Sequence, residues 1–152
     1  MSPQIDITQA TAAHVRALAL SLRPADALEI TRFGIAARKG LWRSWRQALM
    51  RRVAIVDGDV AAIWGVGGAA LGSVGRPWLL TGTACDRIPP VVFARLYRKQ
   101  VLEMAEMFPI LENWVDSEYT AAIRLLHLCG FQLDDPQSVA TGALFRRFHL
   151  ES

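Results

Sequence analysis

The segment Tyr119 to Phe131, YTAAIRLLHLCGF, constrains this chain more than any other. Ala121, Ala122, Ile123, Leu125, Leu126, Leu128 and Cys129 surround Arg124 and His127, so a helix here is apolar around most of its circumference and must be largely buried. Gly130 then suits the left-handed position just past a helix end, and Phe131 begins a strand-like run. The chain must therefore pack this helix into a core and re-enter a sheet at once.

A length of 152 residues suits one domain, spanning residues 1–152, and 52% apolar with 20% charged residues is the balance of a compact fold. The longest uncharged stretch, Val60 to Gly75, is interrupted by Gly65, Gly67, Gly68 and Gly72 and bounded by Asp59 and Arg76, so no membrane span is expected. The N-terminal residues lack a basic region followed by an apolar core, which makes a cytoplasmic protein the expectation. Cys85 and Cys129 are too few for a disulfide framework, and His14, His127 and His149 have no metal-ligand spacing, so no metal is expected.

Charge is unevenly spread. Residues 1–52 hold nine basic and three acidic side chains, and the remainder holds eight and eleven. Arg38, Lys39, Arg43, Arg46, Arg51 and Arg52 follow one another with no acid between them and with Trp42 and Trp45 among them. Such a segment can meet phosphates, nucleic acid or an acidic partner. Its structural reading is a solvated helix face whose tryptophans pack on the core.

Ile5 to Thr8 alternates like a first strand, Thr11 caps a helix through Val15, Leu18 and Leu22, and Pro24 ends it. Ala25 to Phe33 begins a second helical region, punctuated by Gly34 and Gly40 before a basic turn of helix through Trp45 and Leu49. Arg52 to Val56, the turn Asp57-Gly58-Asp59, and Val60 to Ala69 form a hairpin. The Gly65-x-Gly67-Gly68 run lies inside a strand and marks a bulge or a close backbone contact, while Gly72 to Gly75 and Gly82 read as turns. Trp78 to Thr81 is another strand, Pro90 to Phe108 an amphipathic helix, and Ile110 to Val115 a strand. After the Tyr119 helix, Gln132 to Asp135 and Ala143 to His149 supply two terminal strands.

The Tyr119 segment resembles the C-terminal helix of the GNAT acetyltransferase superfamily, whose pattern N-x-x-A-x-x-L-Y-x-x-x-G-F carries a tyrosine that protonates the coenzyme A thiolate. Ala122, Leu125, Gly130 and Phe131 match; Tyr119 stands at the asparagine and Leu126 at the tyrosine. A leucine donates no proton. The order of elements, β-α-α-β-β-β-α-β-α-β-β, is similar to the GNAT topology along nearly the whole chain. The implied fold is α/β of the α+β type: a mixed, mostly antiparallel sheet of six to seven strands flanked by helices, its fourth and fifth strands, Trp78 to Thr81 and Ile110 to Val115, splayed apart around pantetheine.

The resemblance implies acetyl-CoA as cofactor, with contacts at Leu80, Thr81, Gly82, Arg87 and Val91. In the superfamily a Q/R-x-x-G-x-G/A loop grips the diphosphate through backbone N–H groups. Here Arg87 stands at the leading position while Pro90 and Val92 replace the glycines. Pro89 and Pro90 remove two donors, so the loop is degenerate. Glu29, Glu112 and Tyr119, with Asp116 beside the last, are the candidates to serve a catalytic role in an amine's attack on a thioester.

Two readings of function follow. RPADALEI (Arg23 to Ile30), GRPWLLTG (Gly75 to Gly82), and LENWVD (Leu111 to Asp116) with LCGF look like a GNAT-related group of phage and prophage genomes that includes internal virion proteins. This resemblance implies a non-catalytic protein of virion assembly or ejection, host-cytoplasmic and virion-associated. Its partners would be virion proteins or nucleic acid met through Arg38 to Arg52, and a homodimer is also expected. The alternative is an N-acetyltransferase moving acetyl from acetyl-CoA to an amine.

Overall fold

The computed structural model describes residues 3–69 and 71–151. Strand β1 (Ile5–Gln9) is followed by helices α1 (Ala12–Ser21), α2 (Pro24–Arg32) and α3 (Ala37–Gln47). Strands β2 (Ala48–Val56), β3 (Asp59–Gly67) and β4 (Val74–Thr81) lead through a short 3₁₀ turn, Thr83–Arg87, into α4 (Pro90–Met107). Then come β5 (Ile110–Asp116), α5 (Thr120–Leu128), β6 (Gln132–Leu133), β7 (Gln137–Ser138) and β8 (Leu144–Glu151). The sheet order is β1-β2-β3-β4-β5-β8-β6, with β7 against β8, and every pairing is antiparallel except β4 with β5.

Local chemistry explains most of these boundaries. Thr11 and His14 form a reciprocal cap at the start of α1: the His14 N–H donates to Thr11 Oγ1, and the Thr11 N–H to His14 Nδ1 at 3.0 Å. Asp57 and Gly58 both have positive φ, the geometry of a tight primed hairpin turn. At the end of α5 the Phe131 N–H donates to the Leu126 carbonyl and the Gly130 N–H to that of His127, with Gly130 at φ +93°. This is a Schellman cap, and Phe131 and Leu126 share the core it closes over.

A Cβ at Gly130 would meet nothing within 4 Å, so Gly130→Ala carries only the left-handed backbone penalty. The substitution is expected to cost about 1–2 kcal/mol, read as a lower urea midpoint at an unchanged slope.

Several expectations are corrected. Gly40 is not a break but lies inside α3, where a Cβ would come 2.6 Å from Ile30 Cγ2; its absence lets α2 and α3 touch. There are three helices before β2 rather than two, and Leu49 belongs to the strand, at a register shift between Ala48 and Met50. Gly65 is the close contact expected, since a Cβ there would lie 2.2 Å from the Met50 carbonyl oxygen. Gly75 is no turn but a strand position over which the Phe108 ring packs.

Two apolar layers flank the sheet. One joins α4 and α5 to Trp64, Val66, Leu111 and Val115, and the other joins α1 and α3 to Val53, Ile63 and Leu80. Trp42 and Trp45 pack on the second layer, and Trp45 Nε1–H donates to the Ala10 carbonyl at 2.9 Å. Arg46 lies over the Trp42 ring and Arg51 over the Trp45 ring, and Arg38, Lys39, Arg43 and Arg46 are all exposed along α3.

Candidate active site between the splayed strands

Strands β4 and β5 pair only at Val74–Ile110 and Gly75–Leu111, then diverge. The cause can be read from strand alternation. The Gly82 N–H donates to the Ala61 carbonyl, so even-numbered β4 residues bond to β3 and odd-numbered ones face β5. The next donor toward β5 after Gly75 would be residue 77, which is proline and has none. Asn113 fills the interrupted ladder: its Nδ2 donates to the Pro77 carbonyl at 2.9 Å, and its Oδ1 accepts from the Trp114 N–H at 2.9 Å.

Beyond Asn113 the gap opens into a cavity of about 480 Å³ that reaches both faces of the sheet. On one side α4 presents Pro90, Phe93, Ala94 and Tyr97, at i, i+3, i+4 and i+7, facing the small residues Ala121 and Ala122 of α5. On the other, α2 presents Asp26, Glu29, Ile30 and Phe33 at the same spacing, beside Gly40, Arg43 and Ser44 of α3.

The odd-numbered peptide groups along the β4 edge have different fates. At Thr81 the N–H donates to Asp26 Oδ2 at 3.2 Å and the carbonyl accepts from the Arg23 N–H at 3.0 Å. Leu79, between Pro77 and Thr81, turns its N–H and C=O to the gap, where no strand among the described residues meets them. A peptide group unpaired in an apolar cavity is costly unless a ligand pairs with it.

Buried carboxyl groups gather at the open end. Glu29 Oε2 accepts the Asp116 N–H at 3.0 Å, holding the side chain against the β5 edge. Burial, with Asp26 and Asp116 nearby, pushes its carboxyl up to about 7, although the Asp116 N–H pulls the other way. Asp26 accepts from Thr81 Oγ1, and burial raises its pKa as well, although Thr81 and the nearby Tyr119 hydroxyl pull the other way. Burial likewise keeps the Tyr119 hydroxyl protonated. Arg32 Nε stands 2.7 Å from Asp116 Oδ2, close enough for an ion pair though not aligned as a hydrogen bond.

Of the residues singled out in the sequence, Glu29, Tyr119, Leu80 and Thr81 line the cavity. Glu112 lies near the closed root of the strand pair, where Arg147 Nη2 holds its carboxylate at 2.5 Å. Arg87 turns to the β2–β3 hairpin, 2.7 Å from Asp59, and Gly82 is spent on β3. Val91 is in the first turn of α4, where its N–H and that of Val92 have no intrahelical acceptor. Sequence reasoning missed Leu79 and Asp26, and it read Arg43 as part of the exposed basic segment rather than of this cavity. The i, i+3 spacing of Asp26 and Glu29 within RPADALEI was the available signal for Asp26.

Several solved structures with this architecture are acetyltransferases. A GNAT-family acetyltransferase from Streptococcus pneumoniae aligns over 97% of this chain and 99% of its own, with a TM-score of 0.65 at 14% identity. A ribosomal-protein-alanine N-acetyltransferase from Brucella melitensis gives 0.66 at 13% identity over 97% and 99%. RimL, a ribosomal L7/L12 α-N-protein acetyltransferase solved in complex with coenzyme A, gives 0.67 at 8% identity over 97% and 93%. No family model and no curated protein sequence matches the chain. At these identities the likeness establishes the GNAT fold, with its mixed sheet flanked by five helices.

Proposed function

We propose that this protein is an acetyl-CoA-dependent N-acetyltransferase acting on a primary amine. The observation that carries the reading is the unpaired Leu79 peptide group inside the β4–β5 gap. An acyl-pantetheine arm is a chain of amides, and it fits an edge offering one donor and one acceptor between apolar walls. Ala94, Ala121 and Ala122 leave the width such an arm needs. The diphosphate end fits less well, because Pro89 and Pro90 contribute no N–H and only Val91 and Val92 remain to meet phosphate oxygens.

Bound there, acetyl-CoA supplies an acetyl group activated as a thioester. Glu29 stands on the opposite side of the gap, with a carboxyl poised near neutrality to take a proton from an amine. The reaction forms an N–C bond, breaks a C–S bond and leaves one amine proton for Glu29. The Asp116 N–H orients the accepting carboxylate, and the Thr81 N–H and hydroxyl hold Asp26 on the same helix face. Leu126 lines the cavity where the family's tyrosine would stand, so the departing thiolate has no side-chain acid at that position.

The non-catalytic reading keeps two observations in its favour, Leu126 and the Pro89-Pro90 helix start. Its virion role draws no support from the three structural neighbours above, all named as acetyltransferases. We therefore rank it second, reversing the order that the short sequence blocks suggest. Isothermal titration of the full chain with acetyl-CoA separates the two. Micromolar binding, abolished by Ala122→Phe, is the expected result; no heat at millimolar ligand would leave only the non-catalytic reading.

A further inference from the structure

We propose that the amine acceptor is an apolar α-amino acid, its carboxylate held by Arg43 and its amino group presented to Glu29. The inference rests on the transferase reading and specifies the substrate class of that site.

Three features on the α2–α3 side of the cavity converge. First, Gly40, Arg43 and Ser44 share the cavity-facing side of α3, and the bare Cα of Gly40 lets that helix close on Ile30 of α2, the neighbour of Glu29. Arg43 thus reaches the cavity from a helix in direct contact with the one carrying Glu29. Among the described residues Arg43 has no acidic partner, whereas Arg23 pairs with Asp86 and Arg32 with Asp116 and Glu118. Arg124, the other unpaired arginine of the wall, is on α5 across the sheet. A free guanidinium at a cavity mouth is a carboxylate receptor, since its planar fork matches two oxygens.

Second, Trp78 lines the same cavity with its indole N–H buried and without an acceptor among the described residues. Such a donor stays unmet unless a ligand supplies an oxygen. Third, the same cavity carries an apolar surface: Ile30, Phe33, and the Phe145 ring edge-on to Phe33 at 5.1 Å. A hydrocarbon side chain is covered there, and a charged one finds no partner. Carboxylate, ammonium and apolar side chain on one small molecule describe an α-amino acid.

The test compares L-leucine with isoamylamine, which has the same side chain and amine but no carboxylate. Thiol release from acetyl-CoA gives kcat/KM for each. Leucine is expected to be preferred by about 10- to 100-fold, the worth of charge-assisted hydrogen bonds. Arg43→Gln should erase that preference, and Arg43→Lys should restore part of it. Equal use of both amines, or an unchanged preference in Arg43→Gln, overturns the inference and leaves the transferase reading standing. Should neither amine be consumed, leucine binding followed by tryptophan fluorescence decides. Saturable binding that weakens at least tenfold in Arg43→Gln supports the site, and no saturation in the millimolar range overturns it. Failure of the transferase reading itself shows separately, as failure to bind acetyl-CoA.

Discussion

Glu29→Gln is expected to lower the rate of amine acetylation by about 10²- to 10⁴-fold, the usual worth of a positioned general base. Glutamine has nearly the same shape, and its amide oxygen can still accept the Asp116 N–H, so the loss would be of proton acceptance rather than of structure. The pH dependence carries the assignment further. With its carboxyl pushed up to about 7, Glu29 is mostly protonated in mildly acidic solution and ionised above neutrality. Activity at low substrate should therefore climb with pH through a midpoint near 7, and the residual activity of Glu29→Gln should lack that limb. A wild-type profile flat between pH 5.5 and about 8 would contradict the assignment.

The same carboxyl makes stability depend on pH in a direction opposite to that of most acidic residues. Its folded pKa is about 7 against an ordinary 4.5, so between those values the folded protein holds a proton that the unfolded chain has released. Stability contributed by that proton is complete below pH 4.5, falls as the pH rises through 7, and is gone above it. The swing amounts to roughly 3 kcal/mol. Asp26, raised by burial on the same helix face, adds to the slope. In Glu29→Gln the swing from residue 29 disappears, so at pH 8 the variant should be more stable than wild type by roughly 1–3 kcal/mol. Urea titrations at pH 5 and pH 8 measure both effects. Wild type should lose stability across the interval and the variant should lose less; parallel behaviour of the two proteins would place the titration elsewhere. A substitution that stabilises the fold while removing activity marks a residue kept for chemistry.

Part of this architecture was legible in residue types alone. Gly130 before Phe131 specified the cap of α5 because few residues accept positive φ, and Asp57-Gly58 specified the hairpin for the same reason. The eighteen residues of α4 were legible because its buried positions repeat at helical spacing. Glycines whose role is tertiary were not. Gly40 and Gly75 look like breaks in one dimension, and only the nearness of Ile30 and Phe108 shows that they make room for a neighbour. Strand β7, two residues held against β8, has no pattern long enough to read.

The site divides along the same line. Glu29 and Tyr119 could be picked out by side-chain chemistry, but so could Glu112, which the fold commits to Arg147 instead. Leu79 offers no such clue, because what it contributes is a backbone N–H and C=O left unpaired by a proline two residues away. That becomes visible only when the register fixes which peptide groups face β5. Pro77 was in plain sight within GRPWLLTG, yet the splay was anticipated from resemblance rather than from the donor that proline lacks.

Amine-dependent release of the coenzyme A thiol by the purified protein is the decisive measurement. Incubated with acetyl-CoA and an apolar α-amino acid at pH 8, the wild-type protein should liberate one thiol per N-acetylated product, at a rate far above that of Glu29→Gln. A thioester that stays intact at high protein concentration, whatever amine is supplied, would contradict it.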